Sequence, residues 1–182
     1  MAEVERAVAA IRAGEPVILP TDTVYGLCAA ADDEAAVARV YELKGRPEEM
    51  PIALIFPDVE SLLDRIPELP DRAQALLPGA LTFVVPHAGE TVGVRVPALG
   101  DDARDVLAQV GAVSATSANL HGGPDPRRLE DVPPEIRAGC GAEIDGGELP
   151  GTPSTVVDLT GPEPRILREG VVPAVEVLAR LA

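Results

Sequence analysis

Pro16-Val17-Ile18-Leu19-Pro20-Thr21-Asp22-Thr23-Val24-Tyr25-Gly26-Leu27 joins a short apolar run to a cluster of hydroxyls and one carboxylate. Val17-Ile18-Leu19, bracketed by two prolines, predicts a short buried strand. The polar residues that follow begin where that strand ends, which is where open α/β sheets place ligands. Gly26 allows backbone to approach a bound group closely. An ordinary strand-exit turn, with Asp22 bonding local backbone, fits the same residues.

Upstream, Val4, Ala7, Val8 and Ile11 recur at helical spacing and Gly14 supplies a stop. Downstream, Asp33 caps a predicted helix reaching Leu43, and Ile52–Phe56 is a continuous apolar run of the length expected of a central strand. Helices are predicted over Ser61–Ile66, Asp71–Leu77, Asp101–Val110, Val132–Ala138 and Pro173–Leu181. Strands are predicted over Leu81–Val85 and Val92–Val96, joined by a turn at Pro86–Glu90, and over Ala112–Ala115, Glu143–Asp145, Thr155–Leu159 and Arg165–Leu167. Strands mixed with helices throughout predict an α/β fold: a single domain over residues 1–182, with a twisted mixed parallel/antiparallel sheet and flanking helices, in which a polyanionic ligand would require a central cationic cleft.

Composition narrows the chemistry. The 182 residues carry 15 basic and 30 acidic side chains, a net charge of −15. Such a surface repels nucleic acid and anionic membrane, so any polyanionic ligand requires the few cations to gather in one cleft. Aromatic residues are 2%, too few for base-stacking platforms. No apolar stretch approaches the ~20 residues of a membrane span. The acidic, amphipathic start at Met1–Arg6 is unlike a signal or transit peptide, so a cytoplasmic location is expected. Cys28 and Cys140 have no Cys-x-x-Cys spacing and read as small packing residues, and no metal site is predicted. His87 and His121 fall in predicted turns, where histidines are usually solvated.

Fourteen of the 15 basic residues are arginine; Lys44 is the only lysine and Asn119 the only asparagine. Lysine offers a compact ammonium and arginine a planar fork, so a lone lysine inside Lys44-Gly45-Arg46-Pro47 marks a candidate site. Gly45 ends the predicted helix and Pro47 prevents its resumption, which lets Lys44 and Arg46 face one anion. A solvated basic helix terminus is the plainer alternative. In Thr91-Val92-Gly93-Val94-Arg95-Val96-Pro97, alternation puts Thr91, Gly93 and Arg95 on one strand face. Arg95 in an apolar strand needs an anionic partner, either a ligand or one of the acids. Ser117-Ala118-Asn119 and Gly151-Thr152-Pro153-Ser154-Thr155 add hydroxyls and an amide beside predicted strands, and Arg168 ends the last strand. There is no nucleophilic triad and no P-loop, so the set suits catalysis by positioning and charge stabilisation.

Taken in order, these segments, with Pro51-Ile52, Pro78-Gly79-Ala80-Leu81-Thr82, Ser154-Thr155-Val156-Val157-Asp158 and Leu167-Arg168, resemble the YrdC-like family of threonylcarbamoyl-AMP synthases in its short bacterial form. The resemblance implies a nucleotidyltransferase joining L-threonine, bicarbonate and ATP, with Mg2+ arriving on the nucleotide. Its product would supply a tRNA threonylcarbamoyl transferase complex making N6-threonylcarbamoyladenosine, with tRNA binding by this chain weak or absent. It implies Thr23, Arg95, Ser117 and Ser154 as threonine ligands and Lys44, Arg46, Thr91, Asn119 and Arg168 as ATP ligands, Lys44 and Arg46 being catalytic. Met50 departs from the asparagine or lysine common in relatives, and Ile55 from a histidine found in some. Two other readings are a carbamoyl-transferring domain of the hydrogenase-maturation kind, whose extra acylphosphatase and zinc segments this sequence lacks, and an RNA-binding module.

Overall fold

The computed structural model describes residues 2–182; Met1, the first residue of the expected domain, lies outside them. Its centre is a mixed sheet of nine strands: β1 Val17–Pro20, β2 Tyr25–Ala30, β3 Ala53–Ile55, β4 Leu81–His87, β5 Glu90–Arg95, β6 Val113–Ser117, β7 Ala142–Glu143, β8 Thr155–Asp158 and β9 Arg165–Arg168. They lie in the order β7-β1-β2-β6-β3-β5-β4-β8-β9. Pairs β1–β7, β3–β5 and β4–β8 are parallel and the rest antiparallel. The Ile52–Phe56 run, trimmed at both ends, supplies the middle strand as expected.

Among the described residues seven α-helices flank the sheet: α1 Ala2–Arg12, α2 Glu34–Lys44, α3 Val59–Arg65, α4 Asp71–Gln74, α5 Asp101–Val110, α6 Pro134–Ala138 and α7 Ala174–Leu181. Their ends follow local chemistry. The Asp33 carboxylate accepts from the Ala36 amide at the start of α2 (3.0 Å). Gly45, at φ 62°, ends α2 in the left-handed region. The Gly45 and Arg46 amides then donate back to Glu42 and Tyr41 carbonyls at 3.1 and 3.0 Å, the Schellman pattern.

One sheet face is divided between two helical layers. Ile18, Tyr25, Leu27 and Ala29 pack on that side with Ala36, Val40 and Ile136 of α2 and α6. Phe83, Val85 and Val94 pack with Leu62, Ala73 and Val177 of α3, α4 and α7. On the opposite face α1 and α5 cover only part of the sheet, where Val17, Leu19, Cys28 and Val113 meet Val8, Ile11, Val106 and Leu107. The uncovered remainder of that face is where the functional segments collect. Among the described residues, no helix is long and apolar enough to cross a membrane.

Several sequence expectations needed correction. No strand was expected directly after Pro20, yet Thr21–Val24 turns the chain and Tyr25–Ala30 returns beside β1 as a strand. Its small residues, Gly26, Cys28, Ala29 and Ala30, carry little β propensity, and tertiary pairing overrides them. Strand β6 runs on to Ser117 rather than stopping at Ala115, and α4 ends at Gln74 rather than Leu77. Tandem prolines delay α6 to Pro134, after a 3-10 turn at Leu129–Asp131, and the short strand predicted over 143–145 forms over Ala142–Glu143. Cys28 is buried and Cys140 half-buried, both as free thiols in apolar surroundings. His87 is the last residue of β4, 3.3 Å from Glu68, rather than a turn residue.

The β4–β5 hairpin closes through Ala88 and Gly89, since His87 pairs with Glu90. Both turn residues have positive φ, 51° and 89°, as a type I′ turn demands. Alanine is poorly suited there, whereas asparagine tolerates the left-handed region. Ala88→Asn is therefore expected to stabilise the protein by about 0.5–1 kcal/mol. Thermal denaturation should show this as a rise of about 1–4 °C.

Candidate active site

The open sheet face holds a cavity of about 650 Å3, within the usual range for small-molecule sites. Its floor is laid by alternate residues of adjacent strands: Gly26 on β2, Ala115 on β6, Ala53 on β3, Gly93 on β5 and Thr82 on β4. Small side chains at these positions are what leave the hollow. A Cβ added at Gly93 would already stand 3.4 Å from Ala53 Cβ and 3.6 Å from Thr82 Cγ2.

All nine candidate side chains line this one cavity. They are Thr23 between β1 and β2, Lys44 and Arg46 at the end of α2, Thr91 and Arg95 on β5, Ser117 and Asn119 at the end of β6, Ser154 before β8, and Arg168 closing β9. The charged lining comprises four cations, Lys44, Arg46, Arg95 and Arg168, and one carboxylate, Glu49. His121 sits at the edge, its ring exposed. Met50 and Ile55 both line the hollow and contribute apolar surface there. Tyr25 does not. Its ring is buried on the other side of the sheet, and its hydroxyl donates to the Gly147 carbonyl at 2.8 Å while accepting from the Gly146 amide at 3.0 Å. Burial raises that phenol to about 12, so it is a structural tie.

The lone lysine and the lone asparagine bind each other. Lys44 Nζ donates to Asn119 Oδ1 (2.6 Å), Asn119 O (3.0 Å) and Ser117 O (2.7 Å), which uses all three of its protons. Ser117 Oγ also donates to Asn119 Oδ1 at 2.6 Å, and Asn119 Nδ2 donates to the Gly123 carbonyl at 2.6 Å. The His121 amide completes the clasp on the Lys44 carbonyl, 2.8 Å away. Lys44 is only 3% exposed, and among the described residues its ammonium hydrogen-bonds to oxygens of Ser117 and Asn119 and to no carboxylate. Burial lowers its pKa to about 8, the Arg46 charge adding to the effect and Asp125 opposing it. Lys44 thus holds the loop after β6 against the end of α2 and places its charge at the cavity wall.

Arg46 folds over its own loop, donating from Nε to Met50 O and from Nη2 to Pro51 O, each at 3.1 Å. Tyr41 Oη donates to the same Met50 carbonyl at 3.1 Å. Across the cavity, Arg168 donates from Nη2 to Ser154 O at 2.9 Å, and Ser154 Oγ shares a 2.9 Å hydrogen bond with Thr82 Oγ1.

Arg95 answers the question its sequence position raised. Its Nη2 donates to Asp22 Oδ1 and, at 3.2 Å, to Thr23 Oγ1. Its Nε is buried with no partner, the single such side-chain atom among the described residues. An unpaired buried donor is unfavourable, and a ligand oxygen would satisfy it. Burial lowers the pKa of this guanidinium, Asp22 opposes that, and Arg168 reinforces it. Asp22 was read from sequence only as a possible backbone ligand within its own turn; its pairing with a strand 73 residues away had no local signal.

Comparisons with known proteins identify the family. The family model Sua5_yciO_yrdC, described as telomere recombination, matches residues 9–170. A putative threonylcarbamoyl-AMP synthase of Mycobacterium tuberculosis is 37% identical over 181 residues, spanning 91% of this chain and 83% of that protein. The crystal structure of Pyrococcus abyssi Sua5 complexed with L-threonine superposes with a TM-score of 0.90 at 37% identity, covering 97% of this chain. This chain spans 56% of that one. Escherichia coli YciO superposes with a TM-score of 0.83 at 26% identity, covering 96% of this chain and 92% of its own. With the family model covering most of its length and curated relatives at this identity, the chain belongs to the Sua5/YciO/YrdC family.

Proposed function

We propose that this chain is a threonylcarbamoyl-AMP synthase, joining L-threonine, bicarbonate and ATP with release of pyrophosphate. The observation that carries the reading is the meeting of four cations and a set of hydroxyls around one cavity, with a buried guanidinium nitrogen of the lining residue Arg95 left unpaired. Relatives named for this activity and a family member holding L-threonine support it. The product would pass to a tRNA threonylcarbamoyl transferase for N6-threonylcarbamoyladenosine formation. The net charge of −15 disfavours autonomous tRNA binding.

In this reading the threonine carboxylate takes the open Nε of Arg95, with Thr23, Ser117 and Ser154 offering hydroxyls around the amino acid. The threonine amine attacks the bicarbonate carbon; a C–N bond forms and water leaves, giving a carbamate. A carbamate oxygen then attacks the ATP α-phosphorus and pyrophosphate departs. Arg46, Arg168, Thr91 and the loop carrying Asn119 bind the nucleotide, and the Lys44 charge stabilises negative charge that builds on phosphate. Positioning replaces covalent catalysis, in keeping with a cavity lining that has hydroxyls and cations but no cysteine.

Magnesium enters as part of the MgATP substrate, held mainly by phosphate oxygens and water. Among the described residues no group of three or more His, Cys, Asp or Glu side chains is arranged to hold an ion, and Glu49 is the sole carboxylate lining the cavity. The donor set therefore fits a metal carried by the nucleotide.

The test is pyrophosphate release with threonine, bicarbonate or ATP omitted in turn. Release should require all three, and release indifferent to threonine would overturn the reading. Gly93→Val supplies a structural check: its methyls would enter the hollow between Ala53 and Thr82. Turnover should fall by about 100-fold or more while the far-ultraviolet circular dichroism spectrum is unchanged.

A further inference from the structure

We infer that Asp22 is a positioning residue for the amino-acid substrate, acting through Arg95; the inference rests on the reading of the cavity as a threonine site. The Asp22 carboxylate receives two donors from different parts of the chain: Arg95 Nη2 on Oδ1, and the Ala98 amide on Oδ2 at 3.0 Å. Both members of the ion pair are largely shielded from water, at 8% and 14% side-chain exposure. Asp22 itself does not line the cavity, whereas Arg95 and Thr23 on either side of it do. It stands behind the guanidinium.

The turn that presents Asp22 is itself fixed. Thr21 Oγ1 donates to Val24 O at 2.7 Å and accepts from the Thr23 and Val24 amides at 3.2 and 3.3 Å. Thr23 Oγ1, 2.9 Å from Thr21 Oγ1, lies within reach of the same Arg95 nitrogen that Asp22 holds. A guanidinium gripped at Nη2 cannot rotate about its last bonds, so Nε keeps one direction. That is the buried atom of the group left without a partner. The carboxylate also offsets the guanidinium charge beside Arg168, whose charge disfavours that of Arg95. A binding group whose orientation is set by a supporting hydrogen bond loses affinity steeply when the support is moved.

Two substitutions separate orientation from charge. Asp22→Asn keeps the shape and an acceptor but removes the charge; Asp22→Glu keeps the charge but moves the carboxylate by one methylene. Threonine binding is measured by calorimetry on the intact protein, and Michaelis constants for threonine and ATP are measured alongside. Both variants should weaken threonine roughly 10- to 100-fold while the ATP constant stays within about twofold. Threonine affinity left unchanged in both variants would overturn the inference, as would an Asp22→Glu protein that binds threonine like the parent, or equal losses toward threonine and ATP. A parent protein that gives no threonine heat and no threonine-dependent turnover would instead overturn the functional reading on which the inference rests.

Discussion

Lys44→Met should abolish threonine-dependent pyrophosphate release, by at least about 100-fold, and also loosen the fold by about 1–3 kcal/mol. Methionine fills similar volume but leaves Ser117 O, Asn119 O and Asn119 Oδ1 without the donor they converge on. From the sequence alone Lys44 reads as a cation facing an anion. The ammonium is also the tie between α2 and the loop after β6, so stability and turnover fall together. Lys44→Arg should fail as well, because a planar fork does not match three oxygens arranged about one compact cation. An arginine variant with normal turnover would remove the argument that this position requires lysine. The pH response separates charge from folding. The native pKa near 8 lies below the ordinary 10.5, so between these values rising pH strips the proton from the native protein first. Lys44 therefore contributes increasing stability across that window rather than losing it. Pyrophosphate release that declines above pH 8 while thermal stability does not would mark loss of the ammonium.

The distribution of what sequence reveals is itself physical. Alternation along β5 put Thr91, Gly93 and Arg95 on one face because the strand period is fixed at two, and all three line the cavity. Gly45 ended its helix as read, because a left-handed residue after a helix is a local event. The Lys44–Asn119 pair was marked only by composition. Its partners are 75 residues apart, and no spacing rule reaches that far. Strand β2 was invisible for a different reason: Gly26 and Ala30 have no intrinsic preference for extension, and pairing with both β1 and β6 fixes them. That missed strand turns Tyr25 away from the site and brings Asp22 and Thr23 to the tip of a hairpin, against Arg95. A strand-exit turn and a ligand site were competing readings of Thr21–Val24. The structure makes the turn a real one, and its internal hydrogen bonds are what present Asp22 and Thr23 to the guanidinium.

Arg95→Met should eliminate measurable threonine binding and cost about 3 kcal/mol of stability, because it strands Asp22 in a largely dry site with only the Ala98 amide as donor. These two losses have different origins and can be pulled apart. In the double variant Arg95→Met/Asp22→Asn the unpaired charge is gone, and an amide can remain bonded to the Ala98 N–H. Thermal stability should recover in part, whereas threonine binding should not recover at all. Arg95→Lys tests the geometry of the charge. A single ammonium at that position cannot hold Asp22 and Thr23 through one atom and keep further donors on others for a ligand, as the guanidinium can. Its threonine Michaelis constant should rise roughly 100-fold with a much smaller change for ATP. Should Arg95→Lys bind threonine normally, the open Nε would not be the carboxylate donor, and the amino acid would have to lie against Arg168 on the other side of Ser154.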